Sequence, residues 1–496
     1  MFGRFTTQKD FWDVRDIERD MYILSRGRYR KVVEVQGVNF TLLDDQSRMD
    51  FISGFERILQ RIQPGVTLRV LVRTRKKDIE EYLADFEQIH NTRGSGKYTL
   101  FDNYAEFLRR EIREQNIVSK RFFLILEYQD YAPKEKQSRT RAEKALHEQV
   151  ETYTDYLRRT QIGSSVLGTD ELVELLMNSF REEKYLKNRG FYTEIERKRK
   201  EAEGYPFQII NRIQPDEVRE EKDHLVVDEK LYVRNLFLSV FGGQASLEWF
   251  EDIVSFEHAS DIMLEFRGKQ LGQVLQTIKK KRSRLGGDQY RRSLDHEVSD
   301  TMANMLEESL EETERDFLSK KVKPLDISVS ISLRAGSLDS LNLIHERFFT
   351  ALSNHLMDAR LYLREQYEGL KAVFPAGISR PNTKNHRDIH TGVASFTFPF
   401  RSQTISDSAG ILYGTNTRND LVLIDRTKLP NYNRAVIASS GSGKSFWAKI
   451  DIERTLMTGW QSFIIDPDNE FQKLVERHEG KYIIPDKDSE YFINPF

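Results

Sequence analysis

The chain has 496 residues, with 76 Lys plus Arg against 78 Asp plus Glu, a formal net charge of −2, 39% hydrophobic and 31% charged residues. That length calls for several cores, and charge this balanced excludes a global field driving the chain onto nucleic acid or anionic lipid. The absence of Cys excludes disulfides, thiolate zinc sites and a cysteine nucleophile, and no apolar run approaches the roughly 18 residues of a spanning helix.

The opening residues, MFGRFTTQKDFWDVRDIERD, lack the basic end, apolar stretch and small-residue site of a secretory signal. Membrane association is therefore expected only through partners. From Gly27 to Leu126, β-like runs (RKVVEVQGVNF, VTLRVLVRT, RFFLILEY) alternate with helical stretches at residues 48–62 and 78–90, predicting one α+β layer. Residues 137–160 and 170–180 read as helices. Residues 181–204 carry eight basic and six acidic side chains and read as a solvated helix face or linker.

A second α+β block begins near Asp223, with strands at residues 231–241 and 325–333 separated by long helical segments. A helix follows at SLDSLNLIHERFFTALSNH, with Ser337 as its N-cap. The cluster Lys279, Lys280, Lys281, Arg282 and Arg284 has no interleaved aromatic residue, so it reads as a solvated face before a nucleic-acid contact. Residues 380–390 (RPNTKNHRDIH) are polar, contain Pro381 and lack periodicity, which marks a connector. The alternation of Phe396, Phe398 and Phe400 predicts a strand burying one face. No repeat of 20 to 50 residues is present, and the His residues show no metal-ligand spacing. The expected organisation is an N-terminal α+β interaction domain over residues 1–222, a second α+β block over 223–385 and the start of an α/β domain over 386–496.

The most informative segment is NRAVIASSGSGKSFWAKIDIERTLMTGW. An apolar run at residues 435–438 reads as a strand that feeds a Gly/Ser loop and then a helix carrying Phe446, Ile450 and Met457 on one face. This is the setting of a P-loop. Gly441 and Gly443 let the backbone curl around a phosphate, and the helix presents its positive end to it. Lys444 would reach the β- and γ-phosphates of ATP, and Ser445 would place its hydroxyl on Mg²⁺. Ser440, Ser442 and Phe446 complete the cradle. Ala438 stands where the template G-x-x-x-x-G-K-[ST] has its first Gly.

Farther on, QSFIIDPDNEF predicts a second strand at residues 463–465, ending in Asp466, with Asp468 capping a helix through Val475. Asp466 and Glu470 could approach the metal or attacking water from the carboxyl end of that strand. Equally, Asp466 could close a turn and Glu470 stabilise a helix N-terminus. Downstream of Lys444 no apolar strand ends in an Asp-Glu pair, so the sheet reads as unfinished, to be completed beyond Phe496 or by another polypeptide.

With these segments in place, the chain resembles the large ATPase of conjugative type IV secretion systems, the VirB/TraC kind, over nearly its whole length. The residues that carry the resemblance are HTGVASFTFPFRSQTISDSAGILYGTN, NYN, SGSGKS, IIDPDNEF and the terminal INPF, with weaker echoes in FWDVRDI, GVNF and LVRTRKKDI. The resemblance implies an N-terminal α+β region docked on inner-membrane components and a RecA-like domain hydrolysing ATP with Mg²⁺ for apparatus assembly and transfer of DNA or protein. It also implies a homo-oligomer, hexamer or dimer, on the cytoplasmic face of the membrane. It carries phosphate binding onto Gly441, Gly443 and Lys444, metal binding onto Ser445, and a supporting active-site role onto Asp466 and Glu470. The chain departs from that family at Ala438 and in lacking the family's later acid pair and arginine finger. Two other readings are a DNA-pumping P-loop translocase and a nucleotide-binding assembly scaffold without turnover.

Overall fold

The computed structural model describes residues 4–5, 13–77, 79–93, 98–114, 117–131, 135–180, 215–241, 250–294, 301–319, 322–378, 385–402, 410–416, 421–429 and 431–485. The chain divides into two compact units, Met1–Lys77 with Val118–Gln403 and Asp78–Ile117 with Thr404–Phe496.

In the first unit the chain forms β1 (Arg4–Phe5), β2 (Val14–Glu18), β3 (Met21–Leu24), β4 (Arg28–Val35), β5 (Val38–Asn39), α1 (Asp45–Leu59) and β6 (Thr67–Lys76). It then supplies two helices to the second unit, α2 (Glu80–Arg93) and α3 (Tyr98–Glu114). It resumes with β7 (Val118–Gln129), α4 (Glu135–Arg159), β8 (Ser164–Val166) and α5 (Thr169–Met177). The same succession then follows again. Three strands, β9 (Val218–Glu220), β10 (Leu225–Val227) and β11 (Leu231–Phe241), lead through α6 (Glu251–Val254) to β12 (Ser260–Gly268). A helix pair, α7 (Leu271–Leu294) and α8 (Thr301–Leu318), precedes β13 (Pro324–Ala335), α9 (Leu338–Ser353), β14 (Met357–Leu361) and α10 (Gln366–Val373). β15 (Arg387–His390), α11 (Thr391–Ala394) and β16 (Arg401–Ser402) complete the described part.

These strands build a mixed α/β unit around one 14-stranded antiparallel sheet of order β1-β9-β10-β11-β13-β12-β6-β7-β4-β3-β2, with β8 on β4, β14 on β11 and β15 on β13. Strand order inward from β2 (β3, β4, β7, β6) matches that inward from β9 (β10, β11, β13, β12), so the sheet is two copies of one motif joined where β6 meets β12. At this seam Arg69 stands opposite Glu265 and Arg73 opposite Asp261, with nitrogen–oxygen distances of 2.7 and 2.9 Å. The two pairs stand at equivalent places about the Leu71↔Met263 pair, but both bases lie on β6 and both acids on β12, so the duplication is one of backbone and not of charge.

Helices cover both faces. Phe122, Leu124 and Leu126 of β7 join one core with α1, α4 and α9, while Phe123 and Ile125 join another with α5 and α10. A strand buried on both faces reads as an unbroken apolar run, which is why RFFLILEY shows no alternation. The helix starts follow local chemistry. Asp44 accepts a hydrogen bond from Ser47 N at 2.7 Å ahead of α1, and Ser337 accepts one from Ser340 N at 3.2 Å ahead of α9.

Two expectations are corrected here. Residues 395–397 form a helical turn and only Arg401 and Ser402 pair as a strand, with β5. Phe398 and Phe400 are nonetheless fully buried, because their rings close an aromatic cluster with Phe40, Phe55 and Phe122. The turn, with its altered direction, lets both rings enter one core. The expected connector ends in a strand, since β13 offers residues 324–327 as a free ladder edge and β15 takes it. The charge-dense residues 181–204 lie outside the described residues. On α7, Lys279, Lys280, Lys281 and Arg284 are exposed, while Arg282 bonds to Glu311 and Glu314 of α8.

The second unit joins α2 and α3 to β17 (Ile411–Thr415), β18 (Leu421–Ile424), α12 (Lys444–Met457) and α13 (Gln472–Arg477). Its core comprises Tyr82, Phe86, Tyr104, Leu108, Ile411, Leu423 and Met457, among others. Tyr82 Oη donates to Gly410 O at 2.9 Å and shares a 2.9 Å hydrogen bond with Tyr104 Oη, which accepts from Leu412 N at 3.4 Å. Residues 435–438 and 463–465, expected as strands, pair with no neighbour among the described residues. A strand exists only through its ladder. Here Ile437, Phe463 and Ile465 stand 95%, 94% and 96% exposed.

Candidate phosphate-binding site

The loop before α12 has the backbone a phosphate cradle needs. Gly441 has φ +77° and Gly443 φ +92°, the left-handed region that side chains avoid, and a Cβ on either would meet nothing within 4 Å. Ser442 donates to Ser439 O through both its N–H, at 3.3 Å, and its hydroxyl, at 2.7 Å, which closes the turn. Gly443 is the N-cap of α12 and contributes no side-chain cap. The first amides of a helix have no partner within it. Here no described side chain takes that role, so the N–H groups at Lys444, Ser445 and Phe446 are left for an outside acceptor, at the positive end of a 14-residue helix.

Lys444 is exposed, and no hydrogen bond or ion pair engages its ammonium among the described residues. Ser445 is half-buried in the first turn. The donor set therefore suits ATP with Mg²⁺: successive amides and a mobile ammonium for the phosphates, and a hydroxyl for the metal. Ser440, Gly441, Ser442 and Gly443 lie exposed along the same loop. Phe446 is 69% exposed and so is not on the buried face of α12, which holds Asp451 and Met457. The expected placement of Phe446 beside Met457 is corrected accordingly.

What fixes α12 was not visible in the sequence. Asp451 accepts from Arg426 at 2.5 and 2.6 Å and from Arg434 at 3.1 and 2.6 Å. Burial pushes this carboxyl up, but the two guanidiniums outweigh that and hold it below the ordinary value of 3.8. Arg434 also lies 4.7 Å over the Trp447 ring, and Arg426 donates to Tyr413 Oη at 2.6 Å. One carboxylate thus ties the segment entering the loop, the β17–β18 hairpin and the helix leaving the loop. Arg454 adds a bond to Leu412 O. On the other flank, Glu453 pairs with Arg477 at 3.1 Å, and Lys449 sits 5.4 Å over the Phe471 ring. The one sequence signal was an acidic residue on the inward side of an apolar helix face.

Asp466 and Glu470 are brought together, but through the backbone. Asp466 accepts from Glu470 N at 3.1 Å, Phe471 N at 2.9 Å and Tyr482 Oη at 3.3 Å. Desolvation pushes the Asp466 carboxyl up, and these hydrogen bonds override it and hold it low. Asp466, rather than Asp468, therefore organises the turn ahead of α13, whose N-cap position is Phe471. Among the described residues, no hydrogen bond or ion pair links Asp466 or Glu470 to Lys444 or Ser445.

Among protein families, residues 410–496 match the model of the central domain of the helicase HerA, a family of P-loop ATPases. The match spans β17, β18, the glycine loop, α12 and α13. No curated protein matches the chain.

Proposed function

We propose that the chain is the nucleotide-binding motor component of a type IV secretion or conjugation machine, coupling ATP hydrolysis to assembly of the apparatus and transfer of DNA or protein. The observation that carries this reading is the open glycine loop at an uncapped helix N-terminus with Lys444 unengaged. The family match over the same residues and the segments resembling conjugative ATPases support it. In this reading Lys444 and the amides of residues 443–446 bind and orient the phosphates, Ser445 positions the metal, and Asp451 keeps loop and helix in register. Asp466 and Glu470 shape the neighbouring turn. ATP with Mg²⁺, when bound, supplies the phosphoryl transfer that drives the motor. The first unit is the surface through which inner-membrane components and further copies of the chain are engaged.

The match to a helicase domain favours a second reading, a DNA-pumping translocase. The two separate by measuring Mg·ATP turnover of the 496-residue chain with and without duplex DNA, over a salt series. A secretion motor retains its rate and binds DNA weakly. A translocase shows DNA-stimulated turnover, with affinity falling steeply as salt rises. Nucleotide bound without turnover in either condition would favour the scaffold reading for these 496 residues, or a motor whose acid pair is supplied from outside them.

A further inference from the structure

The family match begins at residue 410, yet the unit that carries the glycine loop also contains residues 78–117. Those residues leave the first unit after β6, return to it at β7, and form α2 and α3 between. The two helices contribute Tyr82, Leu83, Phe86, Phe101, Tyr104 and Leu108 to the core that also holds Met457 of α12. A buried tyrosine hydroxyl needs a partner, and here the partners are the backbone of β17 and its approach. Tyr82 Oη donates to Gly410 O at 2.9 Å, and Tyr104 Oη accepts from Leu412 N at 3.4 Å. The other backbone group of that residue, Leu412 O, accepts from Arg454 of α12, whose guanidinium also lies 5.6 Å from the centre of the Tyr104 ring. One residue of β17 is thus held by α3 through its N–H and by α12 through its carbonyl, and Arg454 joins α12 to α3 directly.

An α-helix rises about 1.5 Å per residue, so Arg454 stands roughly 15 Å along α12 from Lys444. Between them lies Asp451, buried and held by Arg426 and Arg434. It is roughly 10 Å from Lys444 and roughly 4.5 Å from Arg454 along the axis. A rigid helix pinned at that point turns about it, so a movement of about 0.5 Å at Arg454 becomes about 1 Å at the glycine loop. Misplacement on that scale can cost an active site about a hundredfold in rate. We propose that α2 and α3 form a positioning element of the phosphate site: through Tyr104 and Arg454 they set the tilt of α12, and nucleotide bound at the loop tightens them in return. The inference rests on the nucleotide reading of the loop. Reciprocity follows because a coupling between two sites acts equally on both. Tyr104 and Arg454 are positioning residues in this account, since both lie away from the loop itself.

The test uses the 496-residue chain with its Arg454→Met and Arg454→Lys variants, read by hydrogen exchange with and without Mg·ATP. Arg454 is half-buried, so Met, which keeps an unbranched apolar stem, is expected to leave the unit folded. Without nucleotide, Arg454→Met should speed exchange at residues 447–450, between the pin and the loop, by roughly three- to tenfold. With Mg·ATP at saturation, the amides of residues 101–108 in α3 should slow by about threefold or more in the original chain. They should keep their free rate in Arg454→Met and slow again in Arg454→Lys, which restores a cation over Tyr104 and a donor to Leu412 O. A contact that merely stabilised the unit would lower affinity in Arg454→Met yet leave the slowing at saturation intact, and that result overturns the proposal. An α3 indifferent to bound nucleotide overturns it as well. A chain that binds no nucleotide removes the proposed function, and the nucleotide-free arm then decides the positioning role by itself, with unchanged exchange at residues 447–450 in Arg454→Met as the contrary result.

Discussion

Lys444 and Asp451 do opposite kinds of work within about two turns of one helix. Lys444 is exposed and unengaged, so Lys444→Ala should leave the melting temperature unchanged. It should weaken nucleotide binding by roughly 1.5 to 3 kcal/mol, the contribution of a charge-assisted hydrogen bond. Asp451 is 6% exposed and bound by two guanidiniums. Asp451→Asn should destabilise the second unit by roughly 1 to 3 kcal/mol, seen as faster amide exchange along α12, with nucleotide affinity falling as a consequence. Because its carboxyl is held low in the folded state, its contribution is complete above 3.8 and fades as pH falls below that value. At this scale the glycine loop was legible because its chemistry is local, six consecutive residues with one conformational demand. The Asp451 clasp was not, because Arg426 and Arg434 reach it only once the hairpin and helix are folded.

Among the elements, the seam between β6 and β12 depends on buried charge. Glu265 is held at about 2 and Glu127 at about 2: burial pushes both up, and Arg69 with Arg267, and Arg30 with Arg69, pull them further down. Carboxyls depressed in this way stabilise the fold above their ordinary 4.5 and lose that contribution as pH falls toward 2. A melting series of the whole chain should thus show its first transition dropping steeply between those limits. Glu265→Gln should cost roughly 1 to 3 kcal/mol at neutral pH, because it removes one of the two carboxylates that hold Arg69 while Glu127 stays at 3.2 Å, and it should flatten that acid dependence. A transition that stays level from pH 5 to 2.5 would rule out the seam as described. In the aromatic cluster, Phe398→Ala should cost about 3 to 5 kcal/mol in a chemical denaturation curve, whereas a strand-face reading with one side in solvent would give much less. The long strands β4, β6, β7, β11 and β13 were legible as apolar runs. β12 was hidden by its alternating charges, and β15 by having no hydrophobic pattern, since its place is granted by β13's free edge.

At the scale of the whole chain, the duplication escaped sequence reading because it is carried by strand order and register rather than by repeated residues. The membership of α2 and α3 in the second unit was equally hidden, as Tyr82 and Tyr104 meet Gly410 and Leu412 across some 300 positions of sequence. No helix among the described residues is long and apolar enough to cross a membrane. The proposed function requires that the glycine loop receive nucleotide. The most direct measurement is a titration of the 496-residue chain and its Lys444→Ala variant with a fluorescent ATP analogue, with and without Mg²⁺. Saturable, Mg²⁺-dependent binding that weakens by roughly 10- to 100-fold in the variant is the result expected from one lost charge-assisted contact. Equal affinity in the two proteins, or no binding by a chain that melts cooperatively, would contradict it.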